Sequence, residues 1–381
     1  MLRKLVKILL LVVLLIAAAG GLWYWLTPVF GGKLSPSDLA RLSASPNWRD
    51  GHFVNREPTA LATKATEQNE MNMLSWLKNV LLPPKGKVPD APLPSMAFDP
   101  KVALANVPND ASVTWLGHST LVIHMDGETI VTDPVFYRAS PVPVTGKPFE
   151  TTHPMEPWQL PQVIDALLIT HDHYDHLEYD TINQIKSRVG QFYVPLGVGA
   201  HLIAWGVDPS RITELDWDQS VRHGTLTITL TTSRHFSGRT LSDRDRTLWG
   251  GFVIAGTERF YVSGDGGYGK HFREIGEKYG PFDMAFIENG AYNRAWAQIH
   301  MTPEESHQAA LDVRAKRVVP IHWAKFDLAY HPWTEPIERY LSAAERDTDL
   351  CVVLPLIGES FRVSDATKVH HLWWRKDFTQ R

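Results

Sequence analysis

THDHYDHL, residues 170–177, sets three histidines and two aspartates in eight positions directly behind the apolar run VIDALLI. A short apolar run bounded by polar stretches reads as a buried strand. Solubility is a poor reason for so many ionisable groups in one turn, and metal binding is a good one. The arrangement also recurs. ALLIT (166–170) is followed by His171, His173, Asp175 and His176, TLTITLTT (225–232) by His235, RFYVS (259–263) by Asp265, and RVVPI (317–321) by His322. Strand exits along one edge of a sheet bring distant side chains to one point, which is where catalytic groups usually sit. Any of the later residues alone would pass as an ordinary strand end. The octapeptide changes that balance.

Within H-x-H-x-D-H, His171 and His173 can reach one ion while Asp175 and His176 turn toward a second. His235 completes the first set and His322 the second, and Asp265, with two carboxylate oxygens, can bridge. Imidazole mixed with carboxylate suits two zinc ions, with iron or manganese as alternatives. Cysteine plays no part, because the single Cys351 can form neither a thiolate cluster nor an internal disulfide. Two ions close together can share one activated water and clamp both the attacking and the leaving oxygen.

The 381 residues are 44% hydrophobic, enough to bury a large core. A formal net charge of −4 and a pI near 6.5 show no basic excess, so nucleic acid is not an expected partner. Residues 8–26 carry no charge and follow Arg3, Lys4 and Lys7. That stretch can cross a bilayer, and the upstream cations would hold the amino terminus in the cytoplasm. A cleavable signal peptide ending near Ala17, Ala18 and Ala19 is the rival reading. The expected division is an anchor (1–28), an extension wrapping the main domain (29–109), a main domain (110–365) and a carboxyl-terminal tail (366–381). In the extension, Met71, Leu74, Trp76 and Leu77 form an amphipathic stripe suited to packing on the body. From residue 111 onward, strands and helices alternate, as in an α/β protein with internal sheets and outer helices.

Several other residues invite weaker assignments. Thr302, Pro303 and Glu305 form a helix start with a capping box, which would hold His300 at the rim of the site. Asp133, at the exit of ETIVT, is expected to hydrogen-bond a ligand histidine and set its tautomer. Asp172 would act from behind the ligands or face solvent. His118, in WLGHST, is read chiefly as structural. Gly264, Gly266 and Gly267 would let the backbone turn closely beneath the site.

The ligand pattern, together with SPNWRDGHFVN, MLSWLKNVLLPP, TWLGHSTLVI, VTDPVF, RHFSGRTLSDRDRTLWGGFVI, SGDGGYG, ENGAYN, HMTPEES and PIHW, resembles the metallo-β-lactamase superfamily. Within it, the stretches are similar to the N-acyl-phosphatidylethanolamine-hydrolysing phospholipase D group, over roughly residues 45–360. The resemblance implies a four-layer αβ/βα sandwich carrying two zinc ions, with His171, His173 and His235 on one, Asp175, His176 and His322 on the other, and Asp265 between them. It implies a catalytic role for Asp265, contact between His300 and the substrate phosphate, and a membrane phospholipid as substrate. Two departures stand out: the charged Asp172 between the first two histidines and the apolar amino terminus. A lactone, thioester or β-lactam remains a rival substrate class, and a membrane-bound envelope protein that holds metal without turnover is a rival from another class.

Overall fold

The computed structural model describes residues 2–62, 84–347, 349–375 and 378. The amphipathic stripe at 71–77 lies outside the described residues. A short ribbon, β1 (Trp48–Arg49) with β2 (His52–Phe53), precedes the body and turns through Asp50 and Gly51. The first large sheet then takes β3 (Ser112–Trp115), β4 (Leu121–Met125), β5 (Glu128–Thr132), β6 (Ile164–Leu168), β7 (Val189–Pro195) and β8 (Ile212–Leu215). The second takes β9 (Ser220–His223), β10 (Leu226–Thr231), β11 (Gly251–Ala255), β12 (Arg259–Val262), β13 (Met284–Glu288), β14 (Arg317–Ile321) and β15 (Cys351–Val352). The chain finally returns to the first sheet as β16 (Ser360–Arg362), beside β3. The spatial orders are β16-β3-β4-β5-β6-β7-β8 and β15-β14-β13-β12-β11-β10-β9.

Each sheet is antiparallel at one end and parallel at the other, where helices make most of the crossovers and a long loop with one 3-10 turn, Pro157–Gln159, makes the β5–β6 link. Asp126 and Gly127, both in the left-handed region, close the β4–β5 hairpin. Side-chain alternation along the strands builds the layers. Ile130, Ala166 and Leu168 face the second sheet, meeting a core that includes Phe252, Phe260 and Phe286. Val131, Leu167 and Ile169 face outward onto Ile182, Ile185 and Leu202. Helices His271–Tyr279, Pro303–Asp312 and Glu335–Ala344 cover the outer face of the second sheet. With both sheets covered on both faces, parallel strands read as near-continuous apolar runs, which is why the central strands were plain in the sequence. Phe286 is fully buried on β13, and Phe286→Ala should cost about 3–5 kcal/mol of stability, readable as a lowered midpoint in chemical denaturation.

The expected carboxyl-terminal boundary needs correction. Residues 366–375 do not leave the body as a tail: Leu354 and Val369 exchange a backbone hydrogen bond of 2.9 Å, and Trp373 is 2% exposed. Trp373 stacks on Trp323 at 5.3 Å and lies near Trp115 and Trp333, completing a row of indoles. A run of tryptophans after a polar stretch has no strand or helix period, so its burial is set by these partners alone.

The helix Leu2–Leu26 presents exposed Leu9, Leu10, Leu14 and Leu22 and is long and apolar enough to cross a membrane by length and composition. The chain behind it is fastened to the body. Trp205 Nε1 donates to Pro28 O at 2.8 Å, Arg239 Nη2 to Val29 O at 2.7 Å, and Gly32 N to His201 Nδ1 at 3.1 Å.

Candidate metal centre

The two sheets bring the exits of β6, β10, β12 and β14 to one edge, and His171, His173, Asp175, His176, His235, Asp265 and His322 meet there. His171 Nε2 lies 2.9 Å from His173 Nδ1, which lies 3.2 Å from His235 Nε2. Nitrogens about 2.0–2.1 Å from a tetrahedral zinc stand about 3.3 Å apart, so these three atoms have the spacing of one coordination face. In the second group, His176 Nε2 and His322 Nε2 each lie 3.5 Å from Asp175 Oδ2. Asp265 stands between the groups: Oδ1 is 3.2 Å from His176 Nε2, while Oδ2 is 2.9 Å from His322 Nε2, 3.9 Å from His171 Nε2 and 4.0 Å from His235 Nε2.

These groups suit cations by their unsatisfied atoms as well as by their spacing. His176 Nε2, His322 Nε2 and Asp265 Oδ1 are buried without a hydrogen-bond partner, a costly condition unless another species meets them. Electrostatics agree. Burial, followed by the adjacent imidazoles, holds His171 and His235 well below the usual histidine range, leaving neutral rings with free lone pairs. Burial opposes charge on His322 too, yet the Asp265 carboxylate lifts it to about 10. Asp175 and Asp265 stay well below the usual carboxylate range despite burial, chiefly because of His176. Ionised carboxylates beside imidazoles attract positive charge, which divalent ions supply with the geometry found here.

The surrounding residues fix the ligands. Asp133 Oδ2 receives a 2.7 Å bond from His176 Nδ1, and its carboxylate also accepts from Thr170 N at 2.8 Å and Thr170 Oγ1 at 2.6 Å. The Asp133 contact leaves Nε2 of His176 to face the second group. Asp133→Asn should lower metal affinity about 10–100-fold, measured by competition with a chromogenic chelator, without unfolding the protein. His235 Nδ1 is held by the Ile299 carbonyl at 2.9 Å. Asp172 does not face solvent, which settles the alternative left by the sequence: it is 1% exposed and accepts from Gly238 N and Thr247 Oγ1, both at 2.8 Å. Its negative charge thereby pins the turn between His171 and His173 to the loop after His235.

His118 does more than pack. Its Nε2 lies 3.0 Å from Asp175 Oδ2, and burial, with His322 nearby, lowers its pKa to about 3, so the neutral ring donates to that carboxylate. His118 N also donates to Trp323 O at 3.1 Å, and its own carbonyl accepts from His322 N at 2.9 Å. The two strand exits are laced together in this way. Of the three glycines around Asp265, Gly267 is the tightest: a Cβ there would lie 2.1 Å from the Gln298 carbonyl. Its place is set by this close backbone approach.

His300 stands over both groups, with ring centroids 5.2 Å from His235 and 5.5 Å from His322. Its Nδ1 meets Glu288 Oε1 at 2.5 Å, and Glu288 Oε2 accepts from Gly266 N at 2.7 Å. Glu288 is the site residue that sequence reasoning missed: it is the last residue of β13, whereas the other candidates lie just beyond their strands. His300 shares the wall of a cleft of about 290 Å³ with Leu61, Phe236, Trp296, Ile299 and Leu328, and His173, Asp175, Asp265 and His322 form its floor.

The description Beta-lactamase superfamily domain matches residues 128–323. The chain belongs to the metallo-β-lactamase superfamily. This metallo-β-lactamase-fold protein is 42% identical over 359 residues to an uncharacterised protein of Mycobacterium tuberculosis, covering 92% of each chain. It is 35% identical over 270 residues to N-acyl-phosphatidylethanolamine-hydrolyzing phospholipase D 1 of Caenorhabditis elegans, covering 66% of this chain and 76% of that one. Among solved structures, the metallo hydrolase Igni18 of Ignicoccus hospitalis superimposes with a TM-score of 0.50 at 23% identity, covering 66% of this chain and 98% of that one. The chain is thus a metal-dependent hydrolase of this superfamily.

Proposed function

We propose that the protein is a membrane-anchored dinuclear zinc phosphodiesterase of phospholipase D type, acting on N-acyl-phosphatidylethanolamine-like glycerophospholipids. One observation carries the reading: the cleft floored by the two donor groups has apolar walls, which suits a phosphodiester attached to acyl chains. The similarity to the nematode phospholipase supports it. His171, His173 and His235 would hold one ion, Asp175, His176 and His322 the other, and Asp265 both. When bound, such ions supply Lewis acidity and lower the pKa of water toward neutrality. Iron or manganese would be accepted by the same donors. Glu288 fixes the His300 ring through Nδ1, so its Nε2 is the nitrogen left for a phosphate oxygen or the departing alkoxide. Phe236, Trp296 and Leu328 would exclude water and seat acyl chain.

The apolar helix would tether the site to a bilayer, with Arg3, Lys4 and Lys7 on the cytoplasmic side and the hydrolase domain on the far face. That face is the periplasm in a Gram-negative cell. Tethering raises the local concentration of lipid substrate. To test the assignment, full-length protein is mixed with liposomes containing N-acyl-phosphatidylethanolamine or ordinary phosphatidylethanolamine, and products are followed by mass spectrometry. Release of phosphatidic acid that stops with chelator and returns with zinc is expected. Turnover of a lactone or β-lactam with no phosphatidic acid would overturn it.

A further inference from the structure

A second cavity, of about 380 Å³, lies outside the cleft and is walled by Met96, Leu116, Phe136, Phe149, Met155 and Ile357, with Lys325 among its lining. The size falls within the range of small-molecule sites, about 300–1,000 Å³. Its mainly apolar wall contains an ammonium with few partners. Lys325 Nζ donates to Leu116 O at 3.1 Å and stands 4.8 Å from the centre of the Phe136 ring. Among the described residues it forms no ion pair. Glu178 acts on it only from a distance, and the Glu178 oxygens already accept from the backbone N–H groups of Phe136, Tyr137 and Arg138 and from Thr181. Glu150 and Glu156 lie exposed on the same lining.

A lysine whose ammonium meets only a backbone carbonyl and an aromatic ring, with no carboxylate at ion-pair distance among the described residues, is unfavourable when charged, and burial lowers its pKa to about 7. An anion seated against Nζ would remove that cost, and an apolar tail would cover the six wall residues. We propose that this cavity binds a single-chain anionic amphiphile, its headgroup on Lys325 and its tail along Met96, Phe149 and Ile357. The shared chemistry is an anionic headgroup on an alkyl chain; a fatty carboxylate or an alkyl phosphate would both supply it. The pocket stands apart from the donor groups of the metal centre, so it is a separate site and not a branch of the cleft.

Full-length protein in lipid nanodiscs would be titrated calorimetrically with octanoate, octyl phosphate and octanol, with empty nanodiscs subtracted. Saturable binding of octanoate, octyl phosphate or both is expected, with octanol at least tenfold weaker. Lys325→Met should weaken the anion at least tenfold, and Lys325→Arg should keep it within about threefold. Met96→Trp, at a half-exposed wall position, should block all ligands and serves as the second variant if Lys325→Met does not fold. Preference between the two anions identifies the headgroup. Equal binding of octanol, binding unaffected by Lys325→Met, or no saturable binding of either anion would overturn the proposal.

Discussion

Asp265→Asn is expected to lower kcat/KM about 10³-fold and to reduce bound metal from two ions toward one. The carboxylate offers Oδ1 to the group containing His176 and Oδ2 to the groups containing His322, His171 and His235. An amide keeps the shape but loses the charge and one acceptor. Several kcal/mol of charge stabilisation are at stake, and each 1.36 kcal/mol is a factor of about ten. Steady-state kinetics paired with elemental analysis decides the matter. A variant that keeps two ions and near-normal turnover would remove Asp265 from the bridging role.

His300→Ala should behave differently, losing about 10²–10⁴-fold in kcat while both ions stay bound. His300 lines the cleft and is secured by Glu288 rather than by the donor groups. Glu288→Gln should fall between the wild type and His300→Ala, with a loss of about 10–100-fold, because a neutral amide holds the ring less firmly. Glu288 is buried, and its carboxyl is pushed above the usual range by that burial, so its proximity to His300 compensates a real cost. Metal loss in His300→Ala equal to that in Asp265→Asn would show that His300 is a ligand and not a substrate contact.

The centre was legible because its ligands follow one rule, an ionisable residue just beyond an apolar strand. Glu288 hides from the rule because the apolar run MAFIE (284–288) ends on Glu288 itself, which places it inside the strand and not after it. Asp172 and His118 were ambiguous for another reason: whether such a residue faces solvent or a neighbour depends on Thr247, Gly238 and Asp175, all remote in sequence. The central strands β5, β6, β13 and β14 stood out as apolar runs. Polar margins such as β9, SVRH with alternating exposure, and the β7 strand beginning with Val189-Gly190 carry weaker signals, and their pairing defines them. The row of indoles that retains residues 372–374 has no local signature at all.

That row has a bearing on synthesis. His322 begins the turn whose Trp323 leans on Trp373, a residue translated some fifty positions later. During translation, the loop bearing His322 therefore lacks its support until the segment around Trp373 has left the ribosome. Tight metal capture should be a late event in biogenesis, and a nascent protein stopped before Trp373 should mature poorly even with every donor already made.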